Sequence, residues 1–406
     1  MGARRGIAAA AAAVAAAAVV TTAAPGAARG EEPVPITDRD WALDLHRGAA
    51  LGSVRIVGMG GVQVALAEGS AGTLGNPAAP AVRKATSTTR WDWDFHLDAL
   101  DAVIVSDLDN NGRDDDGGAA ADGRTATTLT AGLAGMYYGW GVALTVSSAH
   151  ERLADRGGGA LDAAATVGKV AIASTWGDET WTVGGAVRVG TLAVAVASAE
   201  PLFSLTGAGL EGGILYRPHR ADLRLGATLA LPVTGREVEV AACDPLDCAG
   251  HILPERVAVP WELAVGAAWR RGATAWNQAV GGRFRDERAL IVAVDLRLVG
   301  AVADGMGLEA WSEGLWQRSG RSIALGANAG VEWEAVPGRL RLRGGTYWEP
   351  GRFAGVGGRP HLTVGLEVGF FTFRLWWNTR YRLRTGVTGD FAPRFGNAGL
   401  SLGFWS

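Results

Sequence analysis

From about residue 125 onward the sequence alternates between apolar and polar residues with period two, in segments of about ten residues. Leu223, Leu225, Ala227, Leu229 and Leu231 share one face, opposite Asp222, Arg224, Gly226 and Thr228. Leu290, Val292, Val294, Leu296 and Leu298 oppose Ala293, Asp295 and Arg297. Leu362, Val364, Leu366, Val368 and Phe370 oppose His361, Thr363, Gly365, Glu367 and Gly369. A last run reads the same way, with Leu375, Trp377, Thr379, Tyr381 and Leu383 opposite Arg374, Trp376, Asn378, Arg380, Arg382 and Arg384. Successive side chains of a strand point to opposite faces, so each segment is predicted to be a strand with one oily side. About ten residues is what a tilted strand needs to cross a bilayer, and soluble strands are commonly shorter.

Many consecutive strands with oily faces need a cover, and few helical patterns are present to supply one. Lipid is the simplest cover. In lipid both edges of every strand must be hydrogen-bonded, so the sheet has to close. The competing reading is a soluble sandwich or propeller. The opposite faces, rich in Gly, Arg and Asp, fit a polar lumen better. Turn signals punctuate the series at Arg217-Pro218-His219-Arg220, Arg270-Arg271-Gly272, Ser319-Gly320 and Val336-Pro337-Gly338. Connections alternate between short turns and longer stretches such as Val233 to Val259.

The chain has 406 residues, 60 of them Gly and 16 Trp, with a net charge of −3. That charge gives no reason to expect a nucleic-acid partner. Gly at this level marks tight turns and close strand contacts, and Trp suits a membrane–water interface. Residues 1–28 read as a signal peptide. Arg4 and Arg5 precede an Ala/Val run from Ile7 to Val20, and Gly26-Ala27-Ala28 follows as a cleavage point. A signal anchor is the alternative. Export makes a loop disulfide the expected state of Cys243 and Cys248, since two thiols alone make half a zinc shell.

The most specific stretch lies before the strands: Val57-Gly58-Met59-Gly60-Gly61, an Ala-rich segment, then Leu74-Gly75-Asn76-Pro77-Ala78. It resembles the N-terminus of the long-chain fatty-acid transporter superfamily of outer-membrane barrels. That group includes hydrocarbon-uptake channels and the barrel subunits of a gliding-bacterial secretion system. Gly213-Ile214-Leu215-Tyr216-Arg217-Pro218 followed by Leu223-Arg224-Leu225-Gly226 resembles a hairpin of the same group. Gly399 to Trp405 resembles the C-terminal strand signal read by the barrel-assembly machinery, with Ser406 as an extra residue. The resemblance implies an all-β, closed antiparallel barrel of about fourteen strands (range 12–16) in the bacterial outer membrane. It also implies a plug over residues 29–85 ahead of a barrel over 86–406, with Gly58, Gly60, Gly61, Gly75, Asn76 and Pro77 as plug residues. In such a barrel the plug moves to open a route for apolar ligands. From the residues alone, these glycines and Pro77 form a turn before the first strand.

Two further features bear on function. Asp107-Leu108-Asp109-Asn110-Asn111-Gly112-Arg113-Asp114-Asp115 matches the start of a calcium loop, with Asp107, Asp109, Asn111 and Asp115 as candidate ligands. Position twelve is Gly118, where a bidentate Glu would complete the shell, so an ion-free acidic loop is the alternative. The other feature is a basic lumen face predicted from Arg339, Arg341, Arg343, Arg374, Arg380, Arg382 and Arg384. Stacked like charges need carboxylates, and Asp295, Glu309, Glu313, Glu332, Glu334 and Glu367 are candidates. The face either stiffens the wall through ion pairs or guides anionic ligands. Catalytic signatures such as Gly-x-Ser-x-Gly or His-Glu-x-x-His are absent from the sequence. The expected function is passive passage of hydrophobic or amphipathic small molecules, such as long-chain fatty acids, with no cofactor beyond a structural calcium. The expected partners are membrane lipid, the hydrophobic ligand and the assembly machinery. The alternative is a docking scaffold for exported proteins.

Overall fold

The computed structural model describes residues 34–113, 124–156, 159–196, 201–235, 238, 243–375 and 379–404. The signal-peptide residues lie outside them. Fourteen antiparallel strands form one closed sheet: β1 Trp91–Val105, β2 Thr125–Tyr137, β3 Trp140–Ala154, β4 Ala160–Trp176, β5 Trp181–Val196, β6 Pro201–Tyr216 and β7 Leu223–Ala230. The second half is β8 Glu262–Arg271, β9 Leu290–Val299, β10 Ala324–Val336, β11 Leu340–Glu349, β12 Arg359–Leu375, β13 Thr379–Ala392 and β14 Phe395–Phe404. Closure is between β14 and β1, from Phe395 opposite Val105 to Gly403 opposite His96.

The alternation has the predicted sense. In β4, Leu161, Lys169, Ala171 and Ala173 are buried, while Val170 and Ile172 are each 55% exposed. Leu129, Leu144, Leu210, Leu296, Leu325, Leu362 and Leu400 project from the same outer surface around the barrel. Exposed apolar surface of this extent is stable only in contact with lipid. Trp91, Tyr137, Tyr138, Trp140, Trp176 and Trp181 are exposed at one end of their strands, forming a girdle at a membrane interface. The protein is therefore a bacterial outer-membrane β-barrel. Among the described residues no helix is long and apolar enough to cross a membrane.

Tight turns mark the girdle end. Tyr138 and Gly139 both have positive φ (49° and 81°) between β2 and β3, as a two-residue hairpin turn requires. This is the inner, periplasmic rim by the habit of such barrels. Long connections at 106–124, 231–261 and 300–323 make the outer rim. One inner-rim connection departs from the habit. Residues 272–289, between β8 and β9, fold back into the lumen, where Val280 N–H donates to Ala85 O (2.8 Å) and Gly282 N–H to Thr86 O (3.1 Å).

Two expectations need correction. The barrel starts at Trp91, a few residues later than the predicted 86. The run from Arg374 to Arg384 is two strands, since β12 ends at Leu375 and β13 begins at Thr379. Arg374 and Arg380 therefore face each other across the sheet. Alternation continues through a hairpin when the two strands are in register, so periodicity alone does not reveal the turn.

Candidate functional site: a plugged lumen with an apolar cavity

The segment ahead of β1 runs down the lumen from the outer rim to the inner one. Its first anchor is Ala42–Asp44, a buried strand that pairs in parallel with Arg256–Ala258 on one side and Gly305–Met306 on the other. Both partners belong to outer-rim loops. They carry a core that includes Trp41, Leu43, Phe203, Leu253 and Trp311.

Deeper down, the plug contacts the wall backbone to backbone. A Cβ on wall residues Gly184, Gly330 or Gly345 would collide with the Pro77 carbonyl, the Met59 carbonyl or the Gly60 nitrogen respectively. Plug glycines answer from the other side. Gly60 (φ 66°) has room for no Cβ, which would fall 2.6 Å from Ala329 O. Gly58 lies against Thr388 and Gly365, Gly61 against Asn328, and Gly75 against Gln63 of the plug itself. Asn76 is fully buried. Its Nδ2 donates to Val64 O (3.1 Å) and to Ile214 O of β6 (3.2 Å), and its Oδ1 accepts from Ala78 N–H (3.0 Å). Asp295 of β9 accepts from Gln63 and Val64 N–H at 2.7 and 3.0 Å. Orphaned plug amides are thus met by the wall, as burial demands.

Charge fixes the same region. Helix α1, Val54–Gly58, is capped by Ser53, whose Oγ accepts from Ile56 N–H. It presents Arg55 to Glu332 at 3.1 Å. Glu332 also meets Arg343 at 2.6 Å, and Glu367 lies 2.9 Å from Arg343, 2.9 Å from Arg384 and 3.5 Å from Arg341. Across the lumen Glu68 pairs with Arg224 at 2.5 Å and lies 3.9 Å from Arg55. Burial pushes the Glu68 carboxyl up, but Arg224 and Arg55 outweigh it and hold it down at about 2.

The predicted basic face is thus divided. Arg341, Arg343, Arg382 and Arg384 point inward, Arg382 toward Asp286 of the 272–289 loop (2.5 Å), and the other three toward glutamates. Arg339, Arg374 and Arg380 are exposed at the inner rim and do not line the lumen. Arg339 precedes β11. A bulge between Gly369 and Thr372 shifts the register before Arg374.

Two cavities lie on either side of the plug. The outer one, about 220 Å³, is lined by Leu45 and Leu51 of the plug and by wall and loop residues including Ala165, Val167, Leu192 and Leu308. Val167 points inward yet is 40% exposed, because it borders this empty space. Arg47 and Glu151, an ion pair, supply charge at the edge. The inner cavity, about 120 Å³, has a mixed lining, with Ser53, Arg55, Glu68, Arg270 and Arg285 beside apolar residues that include Trp276 and Phe284 of the 272–289 loop. Leu51 borders the first and Ser53 the second, so Gly52, at φ 115°, sits at the partition. Only glycine adopts that conformation without strain.

On the outer rim, Asp107, Asp109 and Asn111 fall in the loop after β1, and Asp115 lies outside the described residues. Cys243 and Cys248 form a disulfide in the 231–261 loop. The sequence reading missed Leu51, Arg55, Glu68 and the 272–289 loop. Nothing in a period-two pattern marks them. The wall glycines were legible in principle, since Gly184 and Gly330 occupy inward positions where other strands carry polar side chains.

No protein-family model matches the sequence, and no curated protein does. Solved structures match over nearly the full chain. A FadL homologue of Pseudomonas aeruginosa aligns at a TM-score of 0.55 and 10% identity, covering 89% of this chain and 99% of that one. The CymD monoaromatic hydrocarbon channel aligns at 0.53 and 10% identity, over 88% and 97%. The toluene transporter TodX of Pseudomonas putida aligns at 0.52 and 13%, over 89% and 99%. The class defined by fold and lumen is a plugged outer-membrane barrel. Within that class the chain has the fold of these solved barrels, the FadL homologue and the CymD and TodX channels.

Proposed function

We propose that the protein is a passive outer-membrane channel for small hydrophobic molecules. The observation that carries this reading is the outer cavity, an apolar space ending on the plug at Leu51, with a second cavity directly beyond it at Ser53. A ligand bound in the first reaches the second when the Leu51–Ser53 partition shifts about Gly52. No energy source is required. Solved barrels of the same fold, a monoaromatic hydrocarbon channel and a toluene transporter, support the same class of ligand.

Size refines the proposal. An engineered apolar cavity of about 150 Å³ admits benzene. At about 220 Å³ the outer cavity holds one ring with a short alkyl substituent. A long-chain fatty acid would extend beyond it. Each buried methylene contributes roughly 0.8 kcal/mol, near fourfold in affinity, until the space is full.

The test is uptake of labelled alkylbenzenes and of palmitate by a deletion strain, with and without the protein. Alkylbenzene uptake should depend on the protein, and Ala165→Trp, which fills the cavity, should abolish that dependence. Equal uptake by both strains for every ligand would sink the transport reading. The scaffold alternative receives less support. The bulky residues of the outer-rim core, Trp41, Leu253 and Trp311, are buried in the loops rather than offered to a partner.

A further inference from the structure

The loop after β1 and the loop between β9 and β10 meet through three carboxylates. Glu309 lies on α2, Leu308–Ser312, within the second loop. One oxygen each of Asp107, Asp109 and Glu309 can be chosen so that all three lie within 4.8 Å of one another. Chain folding therefore brings a glutamate to the acidic loop, whose twelfth position is glycine. Gly307, just ahead of α2, makes the approach feasible, because a Cβ there would fall 2.6 Å from Asp109 Oδ2.

The neighbouring cations answer these charges incompletely. Arg394 lies 3.2 Å from Asp107, Arg124 lies 3.8 Å from Glu309, and Arg47 stands near Asp109 and Glu309 while paired with Glu151. Arg359 is spent on Glu349 and on the carbonyls of Asp107 and Leu108. Both Asp109 oxygens are closed off from solvent and accept no hydrogen bond. One more buried oxygen without a donor stands close by. Asn111 Nδ2 holds Glu309 Oε2 at 3.3 Å, and Gln317, bonded through Nε2 to Asn111 O at 2.7 Å, has a buried Oε1 without a partner. The donor-free Asp109 oxygens and Gln317 Oε1 lie beside the carboxylates of Asp107 and Glu309, which accept N–H donors from Asn111, Gly112 and Leu108, and together they form a hard-oxygen shell. A buried carboxylate with no partner is costly, and a shared cation removes that cost.

We infer that Asp107, Asp109 and Glu309 bind a calcium ion that joins the β1–β2 loop to the β9–β10 loop. The ion would sit one residue from Leu308, which lines the outer cavity, and so would hold one wall of that cavity in place. The inference stands apart from the transport proposal, since it concerns loop order and is read by metal binding alone.

The experiment is calorimetric titration of calcium chloride into the purified, detergent-solubilised full chain after chelator treatment, with melting followed in parallel. One saturable event is expected, with a dissociation constant on the order of 10⁻⁴ to 10⁻³ M, as in extracellular modules, and a rise in Tm. Glu309→Gln and Asp109→Asn should each weaken binding by roughly tenfold or more. Asp304→Asn, at an exposed pair with Arg318, should bind as the parent does. Melting of each variant in chelator, compared with the parent in chelator, separates loss of the ion from loss of the fold. The inference is overturned if the parent shows no saturable binding up to about 10 mM calcium. It is equally overturned if Glu309→Gln binds as the parent does. A Tm that follows pH and ignores calcium would assign the cluster to a shared proton instead.

Discussion

The two halves of the lumen solve opposite problems. The inner half is packed around one small cavity, with backbone against backbone and buried ion pairs joining wall to plug. The outer half is left open around Leu51 and Val167, with one ion pair at its edge. A fully packed barrel would be rigid and closed, and a fully open one would leak. Fixing the plug at Ala42–Asp44 and again below Gly52, with the apolar space between, gives a plug that stays in the barrel and still has a defined place to move. Changing the same kind of interaction in the two halves tests this division.

The largest effect is expected at Glu367. It faces Arg341, Arg343 and Arg384 at once, and it is buried. Glu367→Gln leaves Arg384 without a carboxylate in a buried position. Breaking a buried pair from one side costs about 3–5 kcal/mol. Loss of heat-resistant barrel on gels, or a large drop in Tm, would show it. A change within error would mean that the inner ion pairs do not hold the barrel together.

Acid gives the next test. The folded Glu68 pKa, about 2, lies below its ordinary 4.5. The stabilisation from this group is therefore complete above about 4.5 and is lost as pH falls toward 2, on the order of 3 kcal/mol in total. Protection of plug amides, taken relative to the intrinsic exchange rate at each pH, should fall across that window. Glu68→Gln should raise exchange at neutral pH and flatten the acid response. If the variant retains the full acid response, another carboxylate governs the plug.

Glycine contacts come third. Gly330→Ala drives a methyl into the Met59 carbonyl, a backbone atom that cannot swing aside. About 1–3 kcal/mol of destabilisation is expected. Gly212→Ala, with open space at its Cβ, is the control and should be close to neutral. Equal Tm values for the two variants would remove close packing as the reason for glycine in the wall.

How much of this could be read from the sequence follows from range. Alternation is local, so strands such as Leu290–Val299 and their lipid faces were visible. The turn signal Val336-Pro337-Gly338 was equally local, and it falls between β10 and β11. Closure by β14 on β1 required only that no edge be left in lipid. The Arg374–Arg384 run misled, because period two persists across a hairpin and because the Gly369/Thr372 bulge is silent in composition. Long-range contacts were not legible. Nothing near Asp107 in the chain signals Glu309, about two hundred residues away. Nothing in Ala-rich residues 62–72 marks Glu68 as the partner of Arg224. The cavity itself is an absence of atoms, and it depends on which strands Leu51 happens to face.

The smallest effect should come from the outer ion pair, and it is the sharpest control on the comparison. Glu151→Gln makes the same chemical change as Glu367→Gln, at similar burial of the glutamate. Its partner Arg47, however, is about a quarter exposed, and it also has Asp109 and Glu309 nearby to favour its charge. Solvent and those carboxylates replace much of what is lost, so about 1 kcal/mol or less is expected in stability. Uptake of alkylbenzenes should persist, because the apolar lining is untouched. A Tm loss as large as that of Glu367→Gln would mean that the outer half is held as tightly as the inner, and the partition at Gly52 would lose its meaning.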